Sequence, residues 1–263
     1  MLSEERIQDY RRDGYLKAEG LFSTEEVREL SAEMDWIIQE WCGDDSIGWR
    51  GPWRDHYLPA GQQMETRAVV LANPQQYSAA WGRVLFHPGL TRCAAALIGD
   101  ANVQWHHTVL HAKPPEKGTP FPMHQDYPFY PHDGADFVDC LVHLDDAPPA
   151  SGCLRVVSGS HKKGPLEHIT GAHTRPYLPP QDYHPEITAS VEVPARAGDV
   201  IFFSYYLVHW SDLNRSAEWR RSVRIGYHAA HMRPLGHGAP ESSQKFMVGG
   251  VKERVDEEKL TYR

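Results

Sequence analysis

The strongest constraint on the fold is a change of pattern near residue 102. Residues 102–231 consist largely of short β-branched and aromatic segments separated by Gly, Pro and Asp, as in SVEVPARAGDVIFFSYYLVHWS, which is typical of short strands. Before them, residues 3–12, 24–41 and 74–98 carry apolar side chains at helical spacing. Helices followed by many closely spaced strands predict an α+β chain whose strands form a double-sheet barrel or sandwich.

The composition fits one globular domain and argues against several classes of partner. The chain has 263 residues, 41% of them hydrophobic, which is ordinary for a single sandwich or barrel. A formal net charge of −8 provides no basic field for nucleic acid or an anionic membrane. No run approaches the roughly 20 apolar residues of a bilayer span, no apolar leader opens the chain, and the four cysteines form no C-x-x-C pair. A cytoplasmic protein with reduced thiols is therefore expected.

A long segment without helical or strand pattern runs from about residue 43 to residue 66. It contains GDDSIGWRGPWRDHYLPAGQQME, which is rich in Gly, Pro and Trp. Loops of this length are usually functional or disordered. We therefore expect a lid over a site, with Trp53 and Arg54 as candidate substrate contacts.

The segment FPMHQDYPFYPH, residues 121–132, contains a candidate metal-binding pair. On a strand, His124 and Asp126 point to the same face, because strand side chains repeat every two residues. The chain has three such H-x-[DE] pairs, the others beginning at His143 and His184. The pair alone therefore does not decide which of the three binds a metal.

A third ligand and a carboxylate anchor are found further along the chain. His209 ends the apolar run DVIFFSYYLVHWS, at the polar end of a core strand. Arg220 follows eleven residues later, and Ser222 shares its strand face. An arginine fork beside a hydroxyl is well shaped to bind a carboxylate at two points. Two histidines, one carboxylate and a buried arginine describe a facial-triad iron site with a dicarboxylate co-substrate.

Four blocks in the same order carry a resemblance to a known family. They are DYRRDGYLKAEGLFSTEEVREL, HAKPPEKGTPFPMHQD, LDDAPPASGCLRVVSGSHKKG and AGDVIFF…VHWSDLNRS…RRSVRIGYH. In these blocks the chain resembles the phytanoyl-CoA dioxygenase family of iron(II)- and 2-oxoglutarate-dependent oxygenases. The resemblance selects His124 and Asp126 from the three pairs, because the family's ligand pair precedes the third block with one strand between them.

The resemblance also implies a fold and a division of the chain. The expected fold is a double-stranded β-helix, the jelly-roll or cupin-like barrel, with N-terminal helices packed on one sheet. One domain would span residues 1–263. Residues 1–98 would be mainly helical support with the lid, 102–231 the jelly-roll core, and 232–263 a C-terminal tail.

The resemblance further implies roles for individual residues. Fe(II) would be held by His124, Asp126 and His209, with 2-oxoglutarate and O₂ as co-substrates. Arg220 would bind the far carboxylate of 2-oxoglutarate, and the remaining co-substrate candidates are Ser211, Ser222, His107 and His111. The rings after the ligand pair are candidate substrate contacts, namely Tyr127, Phe129, Tyr130 and His132.

The predicted activity is hydroxylation of an unactivated C–H bond of a small molecule resembling a secondary metabolite, with release of succinate and CO₂. Three alternatives remain: a catalytically silent metal- or ligand-binding jelly roll, a halogenase and a zinc hydrolase. A halogenase needs a small residue in place of the ligand carboxylate, so Asp126 argues against it. A zinc hydrolase has no use for an arginine placed for a dicarboxylate. The substrate and the oligomeric state are left open.

Overall fold

The computed structural model of the chain describes residues 2–41, 66–171, 174–183, 188–235 and 246–251. In these parts of the chain, four α-helices precede residue 100: α1 (Glu4–Asp13), α2 (Thr24–Trp41), α3 (Ala79–Val84) and α4 (Pro88–Ile98). The strands are β1 (Tyr15–Ala18), β2 (Val69–Ala72), β3 (Val103–Lys113), β4 (Phe121–His124), β5 (Phe137–His143), β6 (Leu154–Val156), β7 (Ile169–Gly171), β8 (Thr174–Tyr177), β9 (Val191–Val193), β10 (Val200–Ser204), β11 (His209–Ser211), β12 (Arg220–Ala229) and β13 (Met247–Gly249). Within these ranges no helix combines the length and the apolarity that a bilayer span requires.

The helices begin and end where local hydrogen bonding favours it. Before α2, the Glu26 amide donates to the Ser23 hydroxyl at 3.2 Å, and the Ser23 amide donates to the Glu26 carboxylate at 2.8 Å. This reciprocal capping box satisfies two amides that a helix start leaves without intrahelical partners. Helix α1 ends at Asp13 and is capped by Gly14, whose φ of 84° is favoured for glycine. The sequence thus fixes both boundaries locally.

The strands form two antiparallel sheets and a hairpin. The seven-stranded sheet has the order β1-β10-β5-β12-β3-β13, with β2 also paired to β3. The four-stranded sheet has the order β4-β11-β6-β9, and β7 pairs with β8. This is the predicted α+β jelly roll.

Three strands lie where none was predicted. Strands β1 and β2 belong to the segment 1–98, which was expected to be mainly helical, and they pair with β10 and β3. Strand β13, within the expected tail 232–263, pairs with β3 through Met247 and Gln104. Each has three or four residues, too few for a clear alternation, so pairing with distant strands determines their conformation.

Alternation along β12 separates the helix-facing core from the interior between the sheets. Val223 and Ile225 join the core cluster that contains Met34 of α2, Trp81 of α3 and Leu90 of α4. The alternate residues Arg220, Ser222 and Arg224 line a cavity with residues of the small sheet. The helices therefore cover the outer face of the large sheet, and its inner face is left for a site.

Candidate metal centre and co-substrate pocket

Three side chains meet at one edge of the small sheet. His124 ends β4 and His209 begins β11, and these residues are directly paired across the antiparallel strands, with ring centroids 4.3 Å apart. His124 Nε2 lies 3.5 Å from Asp126 Oδ1, and His209 Nε2 lies 3.9 Å from Asp126 Oδ2. Among the described residues this is the one cluster of His, Cys and acidic side chains that could hold a metal ion.

Asp126 does not reach this cluster by strand alternation, as the sequence suggested. Strand β4 ends at His124, and Asp126 has helical backbone angles, φ −77° and ψ −24°. The intervening Gln125 is fully buried and anchors the turn. Its side chain makes hydrogen bonds of 2.6–2.9 Å to three backbone groups, the carbonyls of Gly164 and Tyr206 and the amide of Leu166. A glutamine directed away from the site therefore turns its neighbour toward it.

Both histidines are held in the tautomer that a metal requires. Nδ1 of His124 lies 2.6 Å from the Pro122 carbonyl, and Nδ1 of His209 lies 2.9 Å from the Leu207 carbonyl. A carbonyl oxygen can only accept, so each Nδ1 carries the hydrogen and each Nε2 presents its lone pair to the cluster. Burial, and then the neighbouring His124, lowers the pKa of His209 to about 3. His209 is therefore neutral near pH 7.

The carboxylate of Asp126 is ionised and has one oxygen left for a metal. Burial alone raises the pKa of Asp126, but Arg224, His124 and His209 together hold it well below its usual value. Arg224 donates from Nη1 to Oδ1 and lies over the Tyr130 ring, 5.6 Å from its centroid. Oδ2 is buried and has no hydrogen-bond partner among the described residues. Two imidazole lone pairs beside this oxygen fit a divalent metal with open coordination positions.

A cavity of about 190 Å³ adjoins the three ligands and extends between the sheets. Most of its lining is apolar, including Phe121, Phe129 and Trp210. Its cationic side chains are Arg175, Arg220 and Arg224. Such a cavity combines an apolar lining with a few polar groups, which is typical of small-molecule sites.

Arg220 is a buried cation directed into this cavity. It is 2% exposed, and its Nε has no hydrogen-bond partner within the described part of the chain. Burial lowers the pKa of Arg220 to about 10. The next residue points the other way: Arg221 forms a two-point contact with Asp145, at 2.7 and 2.9 Å, and also contacts Asp35. Arg221 therefore stabilises the fold, whereas Arg220 has an open guanidinium edge.

The structure brings several other predicted residues to the cavity. Ser211, Ser222, His111 and Phe129 all line it. Phe129 also packs edge-on against His124, with ring centroids 5.6 Å apart. Ser222 and His111 are paired across β12 and β3, so they share the inner face with Arg220.

Four predicted residues are not brought to the cavity lining, namely His107, His132, Tyr127 and Tyr130. Tyr130 is buried and donates from its hydroxyl to Asp139 at 2.9 Å. Nε2 of His107 lies 3.1 Å from Asp139, and its ring packs at 4.8 Å against Tyr130. His132 is 2% exposed and lies in a separate buried cluster, with ring centroids 5.1 Å from His106 and 5.2 Å from His228. Tyr127 packs against two tyrosine rings, at 5.2 and 5.6 Å. These side chains fill the core around Tyr130, where their rings bury apolar surface.

In the competing H-x-D pair, the side chains of His143 and Asp145 lie in different environments. His143 is fully buried on the inner face of β5, opposite Ser222, whereas Asp145 pairs with Arg221. The third pair at His184, the lid and its candidates Trp53 and Arg54 lie outside the described residues.

Arg224, Gln125 and Lys113 are site residues that sequence reasoning missed. Arg224 carries a readable signal, since it continues the spacing of two that begins with Arg220 and Ser222. Lys113 is fully buried and donates to Ser211, and Gln125 lies between two ligands. Neither of the latter has a local pattern, because their roles depend on contacts with distant parts of the chain.

Comparison with known proteins identifies the family. The family model described as phytanoyl-CoA dioxygenase (PhyH) matches residues 10–222. The chain belongs to this family. Its homologues are named dioxygenases and hydroxylases. The protein is thus an enzyme of the iron- and 2-oxoglutarate-dependent oxygenase class, which uses iron, 2-oxoglutarate and O₂.

Individual relatives have different names. This PhyH-family chain is 27% identical over 234 residues to a methylphosphonate hydroxylase of Gimesia maris, a match covering 87% of the chain and 81% of the relative. It is 34% identical over 151 residues to a probable phytanoyl-CoA dioxygenase of Caenorhabditis elegans, a match covering 54% of the chain but 48%, about half, of that protein.

A solved structure supports the same architecture. The epimerase SnoN, in complex with Fe³⁺, α-ketoglutarate and nogalamycin RO, superimposes with a TM-score of 0.70 at 25% identity. The alignment covers 95% of this chain and 96% of that one.

Proposed function

We propose that this enzyme hydroxylates an unactivated C–H bond of a small-molecule substrate, with conversion of 2-oxoglutarate and O₂ to succinate and CO₂. His124, Asp126 and His209 would hold the iron, and Arg220 would hold the far carboxylate of 2-oxoglutarate. When bound, the iron supplies the oxidation chemistry. The contribution of the chain is binding, orientation and the exclusion of water.

The observation that carries this proposal is the buried, open guanidinium of Arg220. Its pKa is lowered by burial, so the folded chain holds a cation in an unfavourable environment. Arg220 and Arg224 are four residues apart on one strand, which separates their Cα atoms by about 14 Å at roughly 3.4 Å per residue. Arg224 contacts the metal carboxylate. This arrangement supports a metal cluster at one end of the cavity and an anion site at the other, as a chelating dicarboxylate needs.

The remaining residues have separate tasks. Arg224 occupies one oxygen of Asp126, so the other oxygen is available as a single-atom ligand and open positions remain for the co-substrate and O₂. Ser211 would add a hydroxyl donor at the far carboxylate. Phe121, Phe129 and Trp210 form an apolar wall that keeps water from the reacting carbon.

Particular features weigh against the alternatives. A halogenase needs the ligand carboxylate replaced, and Asp126 is present with its Oδ2 open. A zinc hydrolase gives no reason to bury Arg220 without a carboxylate partner. A silent domain would tolerate the loss of a ligand or of this arginine, and all four residues are retained.

The test is succinate formation from 2-oxoglutarate, measured with ferrous iron and with zinc in parallel. Succinate is expected with iron but not with zinc, and Asp126→Ala should abolish its formation. Equal succinate from Asp126→Ala and wild type would refute the proposed metal site. If no succinate forms under any condition while iron and 2-oxoglutarate still bind, the silent domain would replace this proposal.

The substrate would be sought by substrate-stimulated succinate formation, followed by mass spectrometry with ¹⁸O₂. Small anions, beginning with methylphosphonate, open the screen because a relative is named for that activity. A hydroxylase adds one ¹⁸O atom to the product. A product that lacks the label but has lost two hydrogens would show a desaturase or cyclase instead.

A further inference from the structure

Lys113 is a second buried cation beside Arg220. It ends β3 and is directly paired with Arg220 of β12, so the two side chains leave their strands on the same face. Lys113 is 0% exposed. An ammonium taken out of water costs several kcal/mol unless a counter-charge or good hydrogen bonds offset the loss. A fully buried lysine at this position therefore needs a physical reason.

The contacts of Lys113 are electron-rich but uncharged. Its Nζ donates to the Ser211 hydroxyl at 2.8 Å and also to the Asp212 carbonyl. It lies 5.1 Å from the centroid of the Phe121 ring. No ion pair joins it to a carboxylate of the described residues. Burial, and then the neighbouring Arg220, lowers the pKa of Lys113 well below its usual value.

Two adjacent buried basic side chains without a buried anion leave a subsite that favours an anion, because burial disfavours their charged forms until a counter-charge binds. Repulsion between Lys113 and Arg220 disfavours the empty state, and an anion placed between or beside them relieves it. Ser211 and Arg220 both line the cavity, whereas Lys113 lies behind Ser211. The hydroxyl is thus the part of this arrangement that can touch a bound molecule.

The donors and acceptors of the two side chains determine which way the Ser211 hydroxyl donates. An anion bound nearby favours the charged form of Lys113, and this ammonium has three donors and no acceptor. The oxygen of Ser211 must therefore accept from Lys113, which leaves the hydroxyl hydrogen for another acceptor. A carboxylate held by Arg220 would be such an acceptor, and a hydrogen bond to a charged group is stronger than one between neutral groups.

The surrounding loop is built to keep Lys113 in position. The Asn214 amide donates to the Lys113 carbonyl at 3.2 Å and to the Glu218 carbonyl at 2.8 Å. At Gly118 a Cβ would lie 2.7 Å from the Lys113 Cβ and 2.6 Å from the Asn214 Cβ. Any larger residue at position 118 would therefore displace one of these neighbours.

We infer that Lys113 is a positioning residue for 2-oxoglutarate: it turns the Ser211 hydroxyl into a donor for the far carboxylate and adds a second positive charge behind it. This inference rests on the proposed function. Lys113 does not touch the co-substrate, and it acts through Ser211. It follows that the contribution of Lys113 depends on both the serine hydroxyl and the far carboxylate.

The experiment compares Lys113→Met, Ser211→Ala and the double variant, with Lys117→Met as the matched control. Lys117 is an exposed lysine of the same loop. Anaerobic titration with 2-oxoglutarate in the presence of Fe(II) gives the affinity, and a parallel titration with 2-oxobutyrate reports binding without the far carboxylate. Iron affinity and the thermal unfolding temperature are measured for each variant.

Lys113→Met should weaken 2-oxoglutarate binding at least tenfold, with iron affinity and 2-oxobutyrate binding within about twofold of wild type. The double variant should be no weaker than Lys113→Met, because the lysine acts through the serine. Equal 2-oxoglutarate affinity in Lys113→Met and Lys117→Met would overturn the inference. Additive losses in the double variant, or an equal loss for 2-oxobutyrate, would also overturn it.

The experiment distinguishes failure of the proposed function from failure of the inference alone. If wild type does not bind 2-oxoglutarate in the presence of Fe(II), the proposed function fails. If wild type binds it, Arg220→Met loses it and Lys113→Met retains it, the inference alone fails. Should Lys113→Met not fold, Lys113→Gln replaces it, since glutamine keeps a donor for the Asp212 carbonyl but no charge.

Discussion

Replacing Arg220 by methionine should change binding and stability in opposite directions. The side chain is 2% exposed, and burial lowers its pKa from the ordinary arginine value to about 10. At 1.36 kcal/mol per pKa unit this corresponds to about 3 kcal/mol. Because a lowered pKa in a base disfavours the charged form, this cost is fully present near pH 7 and is lost as the pH rises from about 10 to 12.5.

The metal-free Arg220→Met variant should therefore be more stable than wild type, by about 1–3 kcal/mol after allowance for imperfect packing. Its affinity for 2-oxoglutarate should fall at least a hundredfold. Stranding a carboxylate in a desolvated pocket costs roughly 3–5 kcal/mol, at about 1.4 kcal/mol per factor of ten. Iron affinity should stay near that of wild type, because Arg220 is not a ligand. Arg220→Lys should recover only part of the lost affinity, since an ammonium cannot reproduce the two-point fork.

The neighbouring residue provides the matched control. Arg221→Met breaks the contacts with Asp145 and Asp35, so it should lower stability and leave 2-oxoglutarate affinity unchanged. The assays are urea unfolding without metal and titration of 2-oxoglutarate against the iron charge-transfer band. If Arg221→Met is the variant that loses affinity, or if Arg220→Met is the less stable of the two, the assignment of faces along β12 is refuted.

The other predictions concern the metal site, its supporting turn and acid stability. Asp126→Ala should lower iron affinity by more than tenfold in a metal-competition titration, whereas His143→Ala should retain it; the reverse order would show that the wrong H-x-D pair was chosen. Gln125→Ala leaves buried backbone groups unsatisfied, so urea unfolding should show a loss of about 3 kcal/mol or more, and a change below 1 kcal/mol would contradict this. Burial, and then Arg220, lowers the pKa of His143 well below 6.5. The unfolded chain then binds more protons in acid, so stability is full above pH 6.5 and falls below it, by up to about 1.4 kcal/mol per pH unit. His143→Leu should make this dependence less steep between pH 5 and 7.5 in metal-free protein.

Local signals predicted the elements whose conformation is determined locally. The helix expected at residues 24–41 has those bounds in the structure, because a capping box and a long apolar periodicity mark it. The long strands from residue 103 onward also stand out by composition. Strand β13 was missed, since its three residues form a strand only through pairing with β3.

The candidate site divides in the same way. The order and spacing of His124, Asp126, His209 and Arg220 are visible in the sequence, and the spacing of two along β12 also extends to Arg224. His107 and His132 could not be sorted from the lining residues, because a histidine beside a cavity and a histidine inside a core have the same local sequence. Gln125 and Lys113 act through contacts with groups about 40 and 100 residues away, and such contacts leave no local pattern.

The ligands and the anion site belong to different layers of the fold. His124 and His209 are held by the four-stranded sheet, and Arg220 belongs to the seven-stranded sheet. A dicarboxylate bound at both ends would therefore link the two sheets reversibly. By mass action, such a ligand stabilises the folded state by about 2.7 kcal/mol when its free concentration is one hundred times its dissociation constant. The spacing of the two layers, and hence their tendency to separate transiently, would then depend on how much 2-oxoglutarate the surroundings contain.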